Sequence, residues 1–151
     1  MGRQISVVGA ANASPDLIRA AEAVGRLLAS RGCTVVCGGL GGVMEAVSRG
    51  AREAGGTTIG ILPGESIAEA NRWIEHAVAT GIGHARNLAV AASGEAVIAV
   101  GGEWGTASEI ALARKVGRPV VVLGTAQPIA GEGIVRAATP EEAVELALRA
   151  L

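Results

Sequence analysis

Along this chain, short apolar runs alternate with stretches whose apolar residues return every three or four positions. The runs Ile5–Val8, Thr34–Cys37, Thr58–Leu62, Ala96–Val100 and Val120–Leu123 predict strands, being short, rich in β-branched residues and bounded by turn formers. Trp73–Ala79 contains a further strand, and Ile134–Ala138 a short one. Between the strands the helical period takes over. Ser14 caps the first helix, Pro15 takes its first position, and the helix runs to about Arg31, where Gly32 stops it. A second helix, from about Gly42 to Ala54, puts Val43, Val47 and Ala51 on one face with Met44 beside them in the core. Gly83–Ser93 and Thr106–Val116 predict two more. Thr139-Pro140-Glu141-Glu142 joins a capping box to a proline at the first helical position, and so starts the last helix. Ser66-Ile67-Ala68-Glu69 has the form of a short capped turn, and Gln127–Glu132 reads as a loop.

Apolar strands alternating with helices imply a mostly parallel sheet with both faces covered. The expected fold class is α/β: a Rossmann-like three-layer domain, its mostly parallel sheet flanked by helices. The 151 residues suit one domain, 1–151, with a sizeable core, and no linker composition divides them. The loops that follow the strands then share one rim, where doubly wound sheets bind their ligands.

Composition narrows the function classes. Half of the residues are apolar, nearly all Ala, Val, Ile and Leu; Trp73 and Trp104 are the only aromatics. A net charge of −1 provides no field for nucleic acid, and stacking platforms are missing, so nucleic acid is not an expected partner. No run approaches the ~18 apolar residues of a membrane span. The N-terminus passes directly into a strand, so the expectation is a cytoplasmic protein with no membrane partner. Cys33 and Cys37, four residues apart on one strand, would stand roughly 13 Å from each other, too far to bridge, and read as small core residues. With only His76 and His84 to join them, no metal site is expected.

The candidate chemistry lies in two glycine-rich turns. Gly38-Gly39-Leu40-Gly41-Gly42 follows the second strand, and Gly101-Gly102-Glu103-Trp104-Gly105-Thr106 follows Ala96–Val100. A turn from strand into helix exposes unpaired N–H groups at the positive end of the helix dipole, and glycine lets a ligand approach that backbone closely. Two such turns predict an anion site, most economically for a nucleotide or another phosphorylated small molecule. Gly39, Gly41, Gly42, Gly101, Gly102, Gly105 and Thr106 would form the cradle, and Trp104 can stack on a planar ring.

Three familiar alternatives fail on the residues. The dinucleotide fingerprint needs Gly-x-Gly-x-x-Gly after the first strand, where this chain has Gly9-Ala10-Ala11-Asn12-Ala13-Ser14. A P-loop needs Gly-Lys-Ser/Thr, whereas Lys115 is the only lysine and Val116 follows it. Lys115 also falls well inside its helix, away from the glycine rim, which argues against a pyridoxal-phosphate Schiff base.

Three stretches, taken together and in order, resemble the LOG family, whose members are often mislabelled lysine decarboxylases. They are Gly38-Gly39-Leu40-Gly41-Gly42-Val43-Met44-Glu45, Gly81-Ile82-Gly83-His84-Ala85-Arg86-Asn87, and Gly101-Gly102-Glu103-Trp104-Gly105-Thr106-Ala107-Ser108-Glu109. The resemblance runs from Ile5 to about Leu123 and is strongest to the small branch that includes molybdenum-cofactor carrier proteins. In its phosphoribohydrolase members it implies cleavage of the N-glycosidic bond of a cytokinin nucleoside monophosphate, with Glu109 on the catalytic glutamate and Arg86 on the catalytic arginine. Two departures weigh against hydrolysis: Val100 stands where those enzymes have proline, and Asn87 where they have lysine. The carrier branch implies a similar cleft that holds the phosphorylated pterin cofactor. No cofactor is required on this reading, the molybdenum cofactor being a candidate ligand. The resemblance also implies a homodimer or homotetramer.

Several residues carry a second reading. Thr106-Ala107-Ser108-Glu109 is also a capping-box pattern, which would turn Glu109 back onto its own helix. Arg86 falls in the first turn of its helix, where a cation opposes the dipole by about 0.3–1 kcal/mol. That placement calls for an anion partner, either ligand phosphate or a carboxylate such as Glu109. Glu103 would repel a phosphate unless it points away or meets a positive part of the ligand. Trp104 serves equally as a dimer contact. Asn12 can touch a ligand after the first strand, Ser14 is explained as a cap, and Gly64 and Glu65 border the cleft. Function then reads first as a binding or carrier protein, second as a phosphoribohydrolase, third as a nucleotide-sensing module that acts through a partner protein.

Overall fold

The computed structural model describes residues 2–124 and 129–151, so Gln127 and Pro128 of the expected loop lie outside the described residues. The expected α/β architecture is present. The chain runs β1 (Gln4–Gly9), α1 (Pro15–Ser30), β2 (Thr34–Cys37), α2 (Val43–Glu53), β3 (Thr58–Leu62), β4 (His76–Ala79), α3 (Arg86–Ser93), β5 (Ala96–Val100), α4 (Trp104–Lys115), β6 (Val120–Leu123), β7 (Ile134–Ala137) and α5 (Pro140–Arg149). The seven strands form one sheet in the order β4-β3-β2-β1-β5-β6-β7. Every pairing is parallel, with Ile5 set against both Val35 and Ala96 in the middle of the sheet.

Strand pleating explains the three layers, because successive side chains point to opposite faces. Ile5, Val7, Val35 and Ile98 pack in one cluster with Ala21, Val24 and Leu28 of α1, Val43 and Val47 of α2, and Ala143 and Ala147 of α5. Val8, Val36, Val97 and Ala99 pack on the other face with Val90 and Ala91 of α3 and Ile110 and Ala113 of α4. Met44 and both cysteines are buried, and both thiols are free, as the apolar pattern anticipates. Burial pushes the Cys37 thiol up, which makes it a poor nucleophile.

The caps form where their residues allow. Ser14 accepts the Leu17 N–H, and Thr139 accepts the Glu142 N–H while the Glu142 carboxylate reaches back to Ala138 N–H. Other boundaries move for local reasons. The helix expected over Gly83–Ser93 begins as a 3-10 turn, Gly83–Ala85, because Gly83 has φ +60°, outside the helical region. The helix expected from Thr106 starts two residues earlier, at Trp104, with Glu103 at its N-cap. Only the second half of Trp73–Ala79 pairs as a strand, while the Trp73 carbonyl accepts from the Thr58 hydroxyl. Among the described residues no helix is long and apolar enough to cross a membrane.

Helices α1 and α2 meet through glycines. A Cβ at Gly25 would run into the Val47 carbonyl oxygen, and one at Gly50 into the Glu22 carbonyl oxygen. The two backbones are therefore closer than any side chain permits, which is how such small helices cover the sheet. Gly25→Ala and Gly50→Ala are each expected to destabilise the fold by about 1–3 kcal/mol, although alanine is the better helix former. Urea unfolding of the variants measures this, and unchanged midpoints would refute the close approach.

Candidate functional site

The strand order reverses between β1 and β5. The chain leaves β1 for α1 on one face of the sheet and β5 for α4 on the other. The two loops must part, and a parting of this kind is where doubly wound sheets hold ligands. A cleft of about 340 Å³ lies there, near the lower end of the range for small-molecule sites. Its walls are Gly9, Ala10, Ala11 and Asn12 after β1, Leu40 and Met44 from the β2–α2 turn, His84, Arg86 and Asn87 at the start of α3, and Glu103, Gly105, Thr106 and Glu109 from α4.

Arg86 and Glu109 face each other across the seam between α3 and α4. Arg86 Nη1 stands 3.7 Å from Glu109 Oε1, and the two residues are only 8 % and 7 % exposed. The guanidinium also donates to Asn87 Oδ1, and through Nη2 to the Gly38 carbonyl at 3.5 Å, while its buried Nε has no partner among the described residues. A Cβ at position 38 would sit 2.7 Å from Nη2, so the glycine there leaves room for the cation. The dipole of α3 opposes a charge at its first position, and the neighbouring oxygens offset that. Burial dominates at Glu109 and pushes its carboxyl from the ordinary 4.5 up to about 7, with Arg86 pulling the other way. The capping-box alternative fails because α4 starts at Trp104, which carries Glu109 beyond the first turn and onto Arg86.

The start of α4 supplies the other half of the site. Ala107 N–H bonds to the Glu103 carbonyl, but the amides of Trp104, Gly105 and Thr106 have no partner among the described residues. A Cβ at Gly105 would meet nothing within 4 Å, so this glycine opens directly onto the cleft. Free amides at the positive end of a 12-residue helix suit an anion.

Of the residues singled out from sequence, the fold brings Arg86, Gly105, Thr106 and Glu109 together with Asn12 and His84 around the cleft. Gly39, Gly41, Gly42, Gly101, Gly102 and Trp104 lie outside its lining. Gly42, at φ +63°, presses its Cα against the carbonyls of Ala10 and Ala11, and Val43 N–H bonds to Ala10. Gly39 lies against Leu62 and Gly60, Gly101 against Leu17, and Gly102 against the Thr106 side chain. Trp104 is 80 % exposed. Gly64 packs under the Glu69 carboxylate and is likewise outside the lining, as is Glu65.

One residue escaped the sequence reading. Asn71, in the strap between β3 and β4, donates through Nδ2 to the Leu40 carbonyl at 2.8 Å and the Gly39 carbonyl at 3.3 Å, and accepts from Trp73 N–H. It fastens the turn that presents Leu40 to the cleft and the Gly38 carbonyl to Arg86. Its side chain bonds to a segment some thirty residues away, and no local pattern signals that.

The comparisons with known proteins bear on family and fold. The model of the SLOG cluster4 family matches residues 2–146. An uncharacterised protein of Archaeoglobus fulgidus is 44 % identical over 141 residues, which cover 93 % of this chain and 91 % of that protein. The molybdenum cofactor binding protein of Rippkaea orientalis superposes with a TM-score of 0.92 at 34 % identity, covering 99 % of this chain and 98 % of that one. The molybdenum cofactor carrier protein of Chlamydomonas reinhardtii gives a TM-score of 0.86 at 34 % identity, over 99 % and 98 % of the two chains.

The raised Glu109 carboxyl has a consequence for stability. Between pH 4.5 and about 7 the folded chain keeps a proton that the unfolded chain has lost. The contribution is complete below the unfolded value and is lost as pH rises through the folded one. Relative to Glu109→Gln, the wild-type chain is expected to lose ~3 kcal/mol of stability from mildly acidic pH to pH ~8. Urea unfolding of both proteins across that window measures the difference, and a constant difference would overturn the assignment.

Proposed function

This chain belongs to the SLOG cluster4 family, and from that premise we propose that it binds a small molecule bearing a phosphate monoester, with the molybdenum cofactor as first candidate. The observation that carries the reading is the first turn of α4. Its three amides lack partners among the described residues, Gly105 opens them to the cleft, and Arg86 lines the same cleft with an unpartnered Nε. Thr106 adds a hydroxyl. Phosphate oxygens would accept from the amides and the hydroxyl, and a charge-assisted bond to the Arg86 guanidinium would be the strongest of them. The charge count points to one phosphate rather than a chain of them: the lining holds one arginine, no lysine and two carboxylates, Glu103 and Glu109. Relatives described as a molybdenum cofactor binding protein and a molybdenum cofactor carrier protein support the choice of ligand.

A second reading, hydrolysis of a nucleoside monophosphate, is favoured by one observation. Glu109 is a buried carboxyl at about 7 inside the cleft, in the range useful for proton transfer or for stabilising a cationic ribose. In that reaction water adds to the anomeric carbon while the bond to the base nitrogen breaks, and the base leaves with the electron pair and takes up a proton. Two features place this reading second. Val100 is buried within β5, and Asn87 accepts from Arg86 where the enzymes have a second cation.

Calorimetric titration with a molybdopterin-type cofactor and with nucleoside monophosphates tests the site. Gly105→Val is expected to fold normally and to abolish binding, since its side chain enters the cleft; retained affinity would refute the cradle. Incubation with purine nucleoside monophosphates, followed by analysis of free base, separates the two readings. Release that disappears in Glu109→Gln and Arg86→Ala would replace the carrier reading with the hydrolase. Tight cofactor binding without release leaves the carrier. Self-association into a homodimer or homotetramer belongs to this proposal, and sedimentation showing monomer alone would contradict it.

A further inference from the structure

We propose that the rim of this cleft selects its ligand by an amidine edge, a ring N–H beside an exocyclic amino group, as guanine and pterins both carry. Glu103 accepts the two N–H groups, and Trp104 stacks on the ring face. The inference rests on the phosphate-binding reading of α4 and adds the class of ring. Glu103 lines the cleft at the N-cap of α4 and is exposed; its side chain makes no capping bond, and its carboxylate has no ion pair or hydrogen bond among the described residues. It stands two and three residues before the Gly105 and Thr106 amides assigned to phosphate. An unpartnered carboxylate so close to a bound phosphate repels it, unless the same ligand brings hydrogen-bond donors to the carboxylate.

An amidine edge provides two parallel donors that match the two oxygens of a carboxylate. Hypoxanthine offers one donor on that edge, and adenine presents an acceptor instead. Glu109, the other carboxylate, is buried and occupied by Arg86, which leaves Glu103 as the reader. Trp104 follows Glu103 in the chain, lies outside the cleft lining and is 80 % exposed. On this proposal the exposed indole supplies a stacking face and the carboxylate next to it in the chain an edge reader for the same planar ring. The α4 amides do not stand alone as evidence of a ligand, because Arg86, more than nine-tenths buried, lines the same cleft with Nε unpartnered.

The test compares calorimetric affinities of the intact protein for GMP, IMP and AMP, which share one phosphoribosyl group, and for a pterin bearing a phosphate monoester. GMP, the phosphopterin or both are expected to bind about tenfold or more tightly than IMP and AMP, and the comparison of the two distinguishes the source of the edge. In Glu103→Gln that preference should fall below about threefold with AMP affinity not weakened, since adenine brings no donor to the carboxylate. In Trp104→Ala all rings should weaken alike, with sedimentation unchanged. Equal affinities for GMP, IMP, AMP and the phosphopterin would overturn the ring assignment and leave the phosphate reading standing. Absence of binding by all four would overturn both. A preference that survives Glu103→Gln, or a Trp104→Ala variant that changes only its oligomeric state, would remove the residue concerned from the proposal.

Discussion

The reversal of strand order between β1 and β5 is the constraint on which the rest depends. A parallel sheet needs crossover connections, and right-handed crossovers that lead in opposite directions put their helices on opposite faces. Here β1 leads through α1 to β2 on one side, and β5 leads through α4 to β6 on the other. No side chain is needed to open the cleft. Side chains decide what it holds. The loop after β1 supplies a wall of small residues and Asn12, and α4 points its first turn across the gap.

Within that frame the Arg86–Glu109 pair is hard to explain as a device for stability. Its oxygen and nitrogen are 3.7 Å apart, beyond hydrogen-bond range, and both charges are largely removed from water. Buried pairs of this kind return little more than they cost in desolvation, and removing one partner costs more than the pair is worth. The position of Arg86 at the start of α3 adds the unfavourable dipole, and the Gly38 and Asn87 oxygens only partly satisfy the guanidinium. A cation held under these terms, with an atom still unpartnered, fits the proposed phosphate ligand better than it fits a role in stability. The carboxyl at about 7 beside it follows from the same burial, which penalises the charged form of Glu109.

The sequence was most legible where local rules act. Apolar runs marked five of the seven strands, and the caps at Ser14 and Thr139 form because their partners lie three residues on in the same chain. Legibility fell where partners are distant. Both glycine turns were visible as turns, but which glycines face a ligand depends on what the backbone packs against. Gly42 is pressed to Ala10 and Ala11, and Gly101 to Leu17, whereas Gly105 meets only open space. The pattern Thr106–Glu109 matched a capping box, yet the helix begins at Trp104, and that two-residue shift turns a local cap into a long-range ion pair. Asn71 left no trace at all, since its bonds to Gly39 and Leu40 exist only after β3 and β4 are in place.

These distant contacts divide the labour between the two turns. The first works as a wall: its glycines let the β2–α2 backbone lie against neighbouring backbone, and Asn71 ties it so that the Gly38 carbonyl meets Arg86. The second works as a donor: Gly101 and Gly102 bend the chain, at φ +59° and +122°, into a helix whose first amides are unclaimed among the described residues. A wall can be built from any small residues that close the same gap, but a donor set depends on where α4 begins. On the proposed reading, the start of α4 at Trp104 is therefore the feature on which ligand binding turns. It places Gly105 and Thr106 in the first turn, Glu103 at the rim and Glu109 against Arg86, and a helix starting at Thr106 would misplace all four.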